Sequence, residues 1–297
     1  MVFSNSSPGK DVSEEDLTSK IPLVTSQSLN GHVVKVRDAC ISADNFVVMA
    51  GPNTVESEEM MVQTALSVKK SGAHILRGGA FKPLTFPYRS EKYFETGEAG
   101  LNWLKTASDI SGLPTVSEVT SVNNLEMVAS KVDMLQIGTR NMQNFDLLQE
   151  AARTRMPILL KRAFGSSLRD WLGAAEYILN EGNDQLVMCE RGVVVPHTHR
   201  STSRFLLDLQ VIPAFKELSF LPIITDPSHA TFWAPWVAPL VLASVAVGAD
   251  GVMIEVHPDP RNAAVDPLQA ISFEEFSSLS KKIAATHAAT KNFNSNV

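Results

Sequence analysis

The sequence has little of several residue types, and each shortage excludes a class of protein. Only two of its 297 residues are cysteines, Cys40 and Cys189, which are too few for a disulfide framework and are typical of a reducing compartment. No apolar run approaches about 18 residues, so the sequence predicts no membrane-spanning helix. Glycine and proline number 16 each, which excludes collagen-like and low-complexity chains. The composition is that of a globular protein with one large domain or two small ones.

Positive charge is also scarcer than negative charge. Lysine and arginine number 26 against 32 aspartates and glutamates, which gives a formal net charge of −6. Nucleic acids and anionic membranes are bound mainly by positive surface, so we expect neither as a partner. The first eight residues lack the basic start and apolar core of a signal peptide, and the acids after them argue against a transit peptide. We therefore expect a cytoplasmic protein.

Eight short apolar runs recur along the chain, each followed by a helix-like segment. Such runs are typical of parallel strands buried on both faces. Eight strand–helix units in about 250 residues predict an α/β fold, a closed (β/α)8 TIM barrel. A doubly wound open sheet is the alternative, but it usually has fewer strands and a G-x-G-x-x-G first turn, which is missing here. The runs are Phe46–Ala50, Ala73–Arg77, Thr115–Val119, Asp133–Ile137, Pro157–Lys161, Leu186–Glu190, Pro222–Asp226 and Gly251–Glu255.

The predicted barrel covers residues 45–290 as a single catalytic domain. Residues 1–44 form a short N-terminal extension, in which 33–37 predict one arm of a hairpin that caps the bottom of the barrel. Residues 291–297 are predicted to be a disordered tail.

Several helix starts and one helix face can also be predicted. Ser57, Ser166 and Ser272 each precede a helical pattern as N-caps, and Ser272 adds a capping box. The segment Ala234–Val247 is apolar almost all round, so we expect a helix that is buried or that faces a second subunit.

Charged side chains accumulate at the predicted C-terminal ends of the strands, where TIM barrels carry their catalytic residues. Burying several cations together without partners is costly, so the set predicts a strongly anionic ligand such as a phosphate with a carboxylate. At any single position, a solvated or paired cation is the alternative interpretation. In chain order the strand ends carry Asn53; Arg77 and Lys82; Glu118; Arg140; Lys161 and Arg162; Glu190 and Arg191; Asp226 and His229; Glu255 and His257.

A second group of side chains follows the last two strands. It contains Asp226, His229, Glu255, His257 and Asp266. Carboxylates and an imidazole at neighbouring strand ends predict a divalent metal site or proton transfer.

Three motifs resemble those of a known family. The segments 49–56 (M-A-G-P-N-T-V-E), 76–85 (L-R-G-G-A-F-K-P-L-T) and 136–145 (Q-I-G-T-R-N-M-Q-N-F) are similar to A-G-P-C-S-V-E, L-R-G-G-A-x-K-P-R-T and Q-I-G-A-R-N-x-Q-N-F. Those are motifs of the class I 3-deoxy-D-arabino-heptulosonate 7-phosphate (DAHP) synthases of the microbial β type. Further similar motifs are Lys161-Arg162, Cys189-Glu190-Arg191-Gly192, Asp226-Pro227-Ser228-His229 and Glu255-Val256-His257-Pro258.

The resemblance implies a TIM-barrel transferase of the shikimate pathway and aromatic amino acid biosynthesis. These enzymes condense phosphoenolpyruvate (PEP) with an aldose phosphate, which for DAHP synthase is erythrose 4-phosphate. It also implies a homodimer or homotetramer. By resemblance, Lys82 donates toward the aldehyde oxygen, and the PEP phosphate and carboxylate are bound by Arg77, Lys82, Arg140, Lys161 and Arg191.

The sequence departs from the family at one metal ligand. His229, Glu255 and Asp266 match three of the four ligands, but the fourth, a cysteine in DAHP synthases, is Asn53 here. A neutral amide oxygen is a weak ligand compared with a thiolate. The related 3-deoxy-D-manno-octulosonate 8-phosphate synthases include a metal-independent branch with asparagine at this place. We therefore expect a weakened or absent requirement for a divalent metal, no organic cofactor, and a catalytic set of Asn53, Lys82, His229, Glu255 and Asp266.

The sequence also departs from the family in the motif that contacts the aldehyde substrate. Leu84 replaces the arginine of K-P-R-T, so we predict aldehyde contacts from Thr85, Arg89 and Asp226. Either Arg89 or Lys92 replaces the lost phosphate contact, or the aldehyde carries no phosphate there. Two alternatives to the default activity follow: the same chemistry on a different, non-phosphorylated aldehyde of specialised metabolism, or a non-catalytic homologue that binds PEP or another anion.

Overall fold

The structure is a computed structural model that describes residues 18–26, 31–82, 95–196, 199 and 205–294. Its strands are β1 (Val34–Val36), β2 (Ala39–Ile41), β3 (Val47–Gly51), β4 (Ile75–Arg77), β5 (Thr115–Val119), β6 (Met134–Ile137), β7 (Ile158–Lys161), β8 (Leu186–Glu190), β9 (Val193–Val194), β10 (Phe205–Leu206), β11 (Ile223–Thr225) and β12 (Gly251–Glu255). β3 to β8 pair in chain order, β11 and β12 follow, and β12 pairs with β3 to close a parallel barrel. The predicted (β/α)8 barrel is confirmed.

Helices connect successive strands on the outside of the barrel. They are α1 (Glu58–Lys70), α2 (Gly97–Ser111), α3 (Val122–Ala129), α4 (Phe145–Arg153), α5 (Leu168–Asn180), α6 (Val211–Leu218), α7 (Pro227–Thr231), α8 (Ala234–Ala246) and α9 (Phe273–Asn294). α9 extends past residue 290, where the barrel was predicted to end, to Asn294. Within the described ranges, no helix combines the length and the apolar character needed to cross a membrane.

Alternate residues of each strand face opposite sides of the barrel wall. In β6, Met134 packs with inward residues such as Leu159 of β7 and Met253 of β12. Its neighbour Leu135 belongs to the outer cluster beneath the helices, as does Leu160 of β7. Both faces of each strand are therefore buried, which explains why the strands read as continuous apolar runs.

A short hairpin lies at the N-terminal end of the barrel. β1 and β2 are antiparallel and are joined by Arg37 and Asp38. Val34 and Ile41 of the hairpin are fully buried and share a cluster with Val47 and Met49 of β3. Side chains from residues 34–41 therefore cover the end of the barrel opposite to the mouth.

The helix starts follow the predicted capping chemistry with one correction. Ser57 Oγ accepts from Met60 N at 3.2 Å, as predicted for α1. The cap of α5 is Ser167, and the prediction of Ser166 was wrong by one residue. A reciprocal capping box needs an acceptor three residues later, and Asp170 stands in that place for Ser167.

α8 is divided between core and surface. Val237, Val241 and Val245 are buried, whereas Pro235 and Pro239 are exposed. In the single chain, one side of this uncharged helix packs on the barrel and the other side is an apolar surface.

Candidate active site

The mouth of the barrel is lined by polar side chains that follow from strand alternation. In six of the eight barrel strands, a polar residue at or just after the strand end stands two places after an inward apolar residue, so both point into the barrel. Six strands contribute one such buried residue each: Arg77, Glu118, Gln136, Lys161, Asp226 and Glu255. They follow Ile75, Val116, Met134, Leu159, Ile224 and Met253 respectively. The chain thus builds an apolar barrel interior with a charged layer on top of it.

Asn53 connects three charged side chains in this mouth. Its Oδ1 accepts hydrogen bonds from Arg77 Nη2 and Lys82 Nζ, each at 2.5 Å. Its Nδ2 donates to Asp266 Oδ2 at 2.8 Å. The amide orientation is the one that the charges demand, because the oxygen faces two cations and the nitrogen faces a carboxylate. The structure therefore brings Asn53, Lys82 and Asp266 together.

Lys161, Asp226 and His229 form a second buried group. Lys161 Nζ lies 2.5 Å from Asp226 Oδ2, and His229 Nδ1 lies 2.8 Å from the same oxygen. Burial alone would raise the pKa of Asp226, but His229 and Lys161 hold it well below the usual value. Burial lowers the pKa of His229 well below its usual value, and nearby Lys161 and Arg77 lower it further. Lys161 and His229 therefore both approach one oxygen of the buried Asp226 carboxylate.

Glu255 is a buried carboxylate of the mouth whose pKa is raised. Burial raises its pKa to about 7, and the nearby charge of Asp266 adds to the rise. Arg77 opposes this effect, but its Nη1 lies 3.6 Å from Glu255 Oε2, beyond an ordinary hydrogen bond. His229 Nε2 is 3.9 Å from the same oxygen. Glu255 is thus poised near neutral pH between charged and uncharged forms.

Lys82 is a cation of the mouth whose pKa is lowered. Burial lowers its pKa to about 8; Arg77 and Lys161 contribute in the same direction, whereas Glu118 and Asp266 oppose them. An ammonium poised near neutral pH is suited to proton donation as well as to anion binding.

Two further predicted cations approach the mouth from its rim. Arg191 is buried after β8, and its Nη2 donates to the His229 carbonyl at 3.1 Å. Its guanidinium carbon lies 4.3 Å from the ring centre of Phe205. Arg140 is exposed in the 3₁₀ turn after β6, with its guanidinium carbon 5.5 Å from the ring centre of Phe164. Aromatic rings therefore hold both guanidinium groups at the rim.

A buried ion-pair network supports the loop that carries Arg191. Arg162 Nη1 donates to Glu190 Oε2 at 3.0 Å and to Asp208 Oδ2 at 2.9 Å. Glu190 Oε1 accepts from Gly192 N at 2.6 Å. Arg162 therefore fixes the backbone on both sides of Arg191 instead of facing a ligand.

A similar arrangement fixes the loop after β12. His257 Nδ1 accepts from Asp259 N at 3.0 Å, so the ring carries its proton on Nε2 and donates it to Glu56 Oε1 at 3.2 Å. The same oxygen accepts from Ala264 N at 2.8 Å. His257 is thus a structural residue that ties the loop before Asp266 to the loop after β3.

The hydrogen bonds of Asn53 also bear on whether a divalent metal can bind to this set of side chains. Both lone pairs of its Oδ1 accept from Arg77 and Lys82, and its Nδ2 occupies an oxygen of Asp266. A metal bound there would stand beside two cations and compete with an amide N–H for the carboxylate. Over the described parts of the chain, no three His, Cys, Asp or Glu side chains are grouped to hold a metal. The residues, as arranged, do not fit one.

Some of the predicted site residues lie outside the residues that the structure describes. Other residues of the site were not predicted from the sequence. Thr85 and Arg89, the expected aldehyde contacts, lie outside the described residues, as do Leu84 and Lys92. Gln136 and Gln269 were missed, although both are buried within the site. Gln136 Nε2 donates to Glu118 Oε2 at 3.2 Å, and the alternation after Met134 was the signal that pointed to it. No sequence signal pointed to Gln269.

Comparison with known proteins identifies the family. The model of the DAHP synthetase I family matches residues 24–292. The chain belongs to this family. The phospho-2-dehydro-3-deoxyheptonate aldolase of Thermotoga maritima is 41% identical over 247 residues, which are 83% of this chain and 71% of that protein.

Two further comparisons extend this likeness. A truncated form of 3-deoxy-D-arabino-heptulosonate 7-phosphate synthase from T. maritima has a TM-score of 0.82 at 37% identity, over 91% of this chain and 97% of that structure. The 2-dehydro-3-deoxyphosphooctonate aldolase of Syntrophotalea carbinolica is 28% identical over 274 residues, 87% of this chain and 97% of that protein. Membership confirms the predicted activity: this DAHP synthetase I family enzyme is a synthase that condenses PEP with an aldose phosphate.

Proposed function

We propose that the aldose phosphate is erythrose 4-phosphate and that the product is DAHP with release of inorganic phosphate. The support for this aldose is the likeness to the T. maritima phospho-2-dehydro-3-deoxyheptonate aldolase. The support for PEP is the charged layer of the barrel mouth, in which Arg77 and Lys161 are buried. A buried group of cations is stable when it binds a compact polyanion. PEP, with a phosphate and a carboxylate on three carbons, is a ligand of that kind.

The five predicted cations bind PEP in this proposal. Arg77 Nη1 is buried and makes no hydrogen bond within the described part of the chain, so it has a donor available for a phosphate or carboxylate oxygen. The other PEP ligands are Lys82, Arg140, Lys161 and Arg191. Lys161 keeps its contact with Asp226, which holds the ammonium in place before PEP arrives.

The remaining polar residues act on the aldehyde. C3 of PEP attacks the aldehyde carbon, and Lys82 donates a proton to the oxygen as its negative charge develops. Water then adds at C2, loses a proton to a carboxylate of the mouth, and inorganic phosphate leaves as the 2-keto group forms. Asn53, His229, Glu255 and Asp266 orient the aldehyde and this water by hydrogen bonding.

We also propose that catalysis does not require a divalent metal. The support is the hydrogen bonding of Asn53, which joins Arg77, Lys82 and Asp266 through a neutral amide. Incubation with a chelator followed by desalting should leave at least half of the activity, because these contacts do not depend on a metal. A complete loss of activity that added metal restores would refute the proposal.

The aldehyde specificity needs a direct assay. Of the predicted contacts Thr85, Arg89 and Asp226, the first two lie outside the residues that the structure describes. The protein is mixed with PEP and a panel of three- to five-carbon aldoses and aldose phosphates, and phosphate release is followed. Release with erythrose 4-phosphate at the highest kcat/KM is the expected result. A higher value with another aldose, especially one without a phosphate, would assign a different substrate. PEP binding without release for any aldehyde would identify a non-catalytic homologue.

A further inference from the structure

A tight turn after β12 contributes two side chains to the mouth. Gln269 N donates to Asp266 O at 3.2 Å, which closes a β-turn with Pro267 at its second position, where proline is favoured. Asp266 has a left-handed φ of 52°, which is uncommon for a non-glycine residue and concentrates at functional sites. The two ends of the turn, Asp266 and Gln269, are therefore held at a fixed distance from each other.

Each end of the turn contacts a different residue of the site. Asp266 accepts from Asn53, as described above. Gln269 is fully buried, and its Nε2 donates to Glu255 Oε2 at 2.6 Å. Glu255 receives no other side-chain hydrogen bond from the described residues, because the nearest atoms of Arg77 and His229 lie 3.6 and 3.9 Å away.

We propose that Gln269 is a positioning residue of the condensation, which orients the Glu255 carboxylate toward the aldehyde and the attacking water. The inference rests on the proposed function, because it assigns Gln269 a role in that reaction. A carboxylate held by one short hydrogen bond keeps a fixed rotamer, and its other oxygen stays available to a substrate.

The test replaces Gln269 with methionine, which has a similar length but no donor. Gln149→Met is the matched control, because Gln149 Nε2 also donates to a glutamate, Glu181 Oε1 at 2.9 Å, but on the outer helices. We expect Gln269→Met to lower kcat by about 10- to 100-fold, the range known for hydrogen-bond partners that orient metal-binding side chains. PEP affinity, measured by titration, should stay within about two-fold, because the PEP cations do not contact Gln269. Gln149→Met should change neither quantity.

A double-mutant cycle separates positioning from general stabilisation. If Gln269 acts through Glu255, then Gln269→Met made in a Glu255→Gln background should lower kcat by less than about two-fold further. Full additivity of the two losses would overturn the role, and so would a kcat for Gln269→Met equal to that of the wild type. A parallel loss of PEP affinity and kcat would also overturn it, as the sign of a damaged site. An inactive wild-type protein would instead refute the proposed function, and the positioning role with it.

Discussion

Lys82 has two roles in the proposed reaction: it binds the anionic substrate and it donates a proton. Its ammonium donates to Asn53 Oδ1, and burial lowers its pKa to about 8. Below that pH the group binds anions and donates a proton, and above it the group is a neutral amine. The alkaline limit of activity is therefore tied to this residue.

We expect kcat/KM for PEP to fall as the pH rises through about 8, because free Lys82 loses its charge there. The alkaline limb of kcat should lie at higher pH, since bound PEP adds negative charge beside the ammonium. Steady-state rates between pH 6 and pH 10, converted to pH profiles, provide the measurement.

Lys82→Arg is the matched variant for this profile. A guanidinium stays protonated throughout the range, so the variant should be slower but should lose its alkaline limb. The same limb in Lys82→Arg and in the wild type would show that another group titrates.

Some residues of the site could be predicted from the sequence, and others could not. Arg77, Lys161 and Glu255 end apolar strands, so their place in the mouth follows from alternation alone. Gln269 comes 14 positions after Glu255, in a turn whose path depends on tertiary contacts, so no local pattern indicates it. The pairing of Asn53 with Arg77 and Lys82 likewise required the geometry of two loops.

At the scale of elements, the predicted strands agree with the observed ones to within one or two residues. β5, β8 and β12 have the predicted bounds, because their ends coincide with changes in polarity. Pro157 and Pro222 were wrongly included in strands. A proline has no N–H for the ladder, so β7 begins at Ile158 and β11 at Ile223.

The connection between β7 and β8 depends on the buried Arg162 network. Arg162→Met leaves the fully buried Glu190 without its cation, which should lower the free energy of unfolding by about 3–5 kcal/mol. Arg153→Met is the control, because Arg153 pairs with Glu181 on the exposed surface, where solvent screens the charges, so its loss should be much smaller. Urea unfolding measures both, and equal losses would contradict the structural role of Arg162.

At the scale of the whole molecule, Gly51 lies where the last strand of the barrel joins the first. It is the partner of Glu255 in the β3–β12 ladder, and its carbonyl accepts from Val256 N at 3.1 Å. A Cβ at Gly51 would lie 2.0 Å from the Arg77 carbonyl oxygen, and the φ of 149° is one that side chains rarely adopt. The close approach of β3 to the end of β4 therefore requires glycine at this position.

We expect Gly51→Ala to lower the free energy of unfolding by about 2–4 kcal/mol, from backbone strain and overpacking together. Gly173→Ala in α5 is the control: a Cβ there meets nothing within 4 Å, and alanine favours helix by up to about 1 kcal/mol. Thermal and urea unfolding compare the two variants. A Gly51→Ala protein as stable as the wild type would show that the barrel relaxes around the added methyl group.

The net charge of the whole chain differs in sign from the cluster of cations at the mouth of the barrel. The net charge of −6 describes the protein as a whole, yet it does not describe the mouth, where Arg77, Lys82 and Lys161 lie together. Composition alone therefore argued against anionic partners, whereas the positions of the cations at strand ends predicted an anionic ligand. The fold places these positions at one end of the barrel.

The most direct test is the stoichiometry of the reaction catalysed by the chelator-treated protein with PEP and erythrose 4-phosphate. Inorganic phosphate is quantified, and the sugar product is identified by mass spectrometry. The account predicts one phosphate released for each DAHP formed, and no release when the aldehyde is omitted. Phosphate release without a condensation product, or no release with any aldose phosphate, would contradict it.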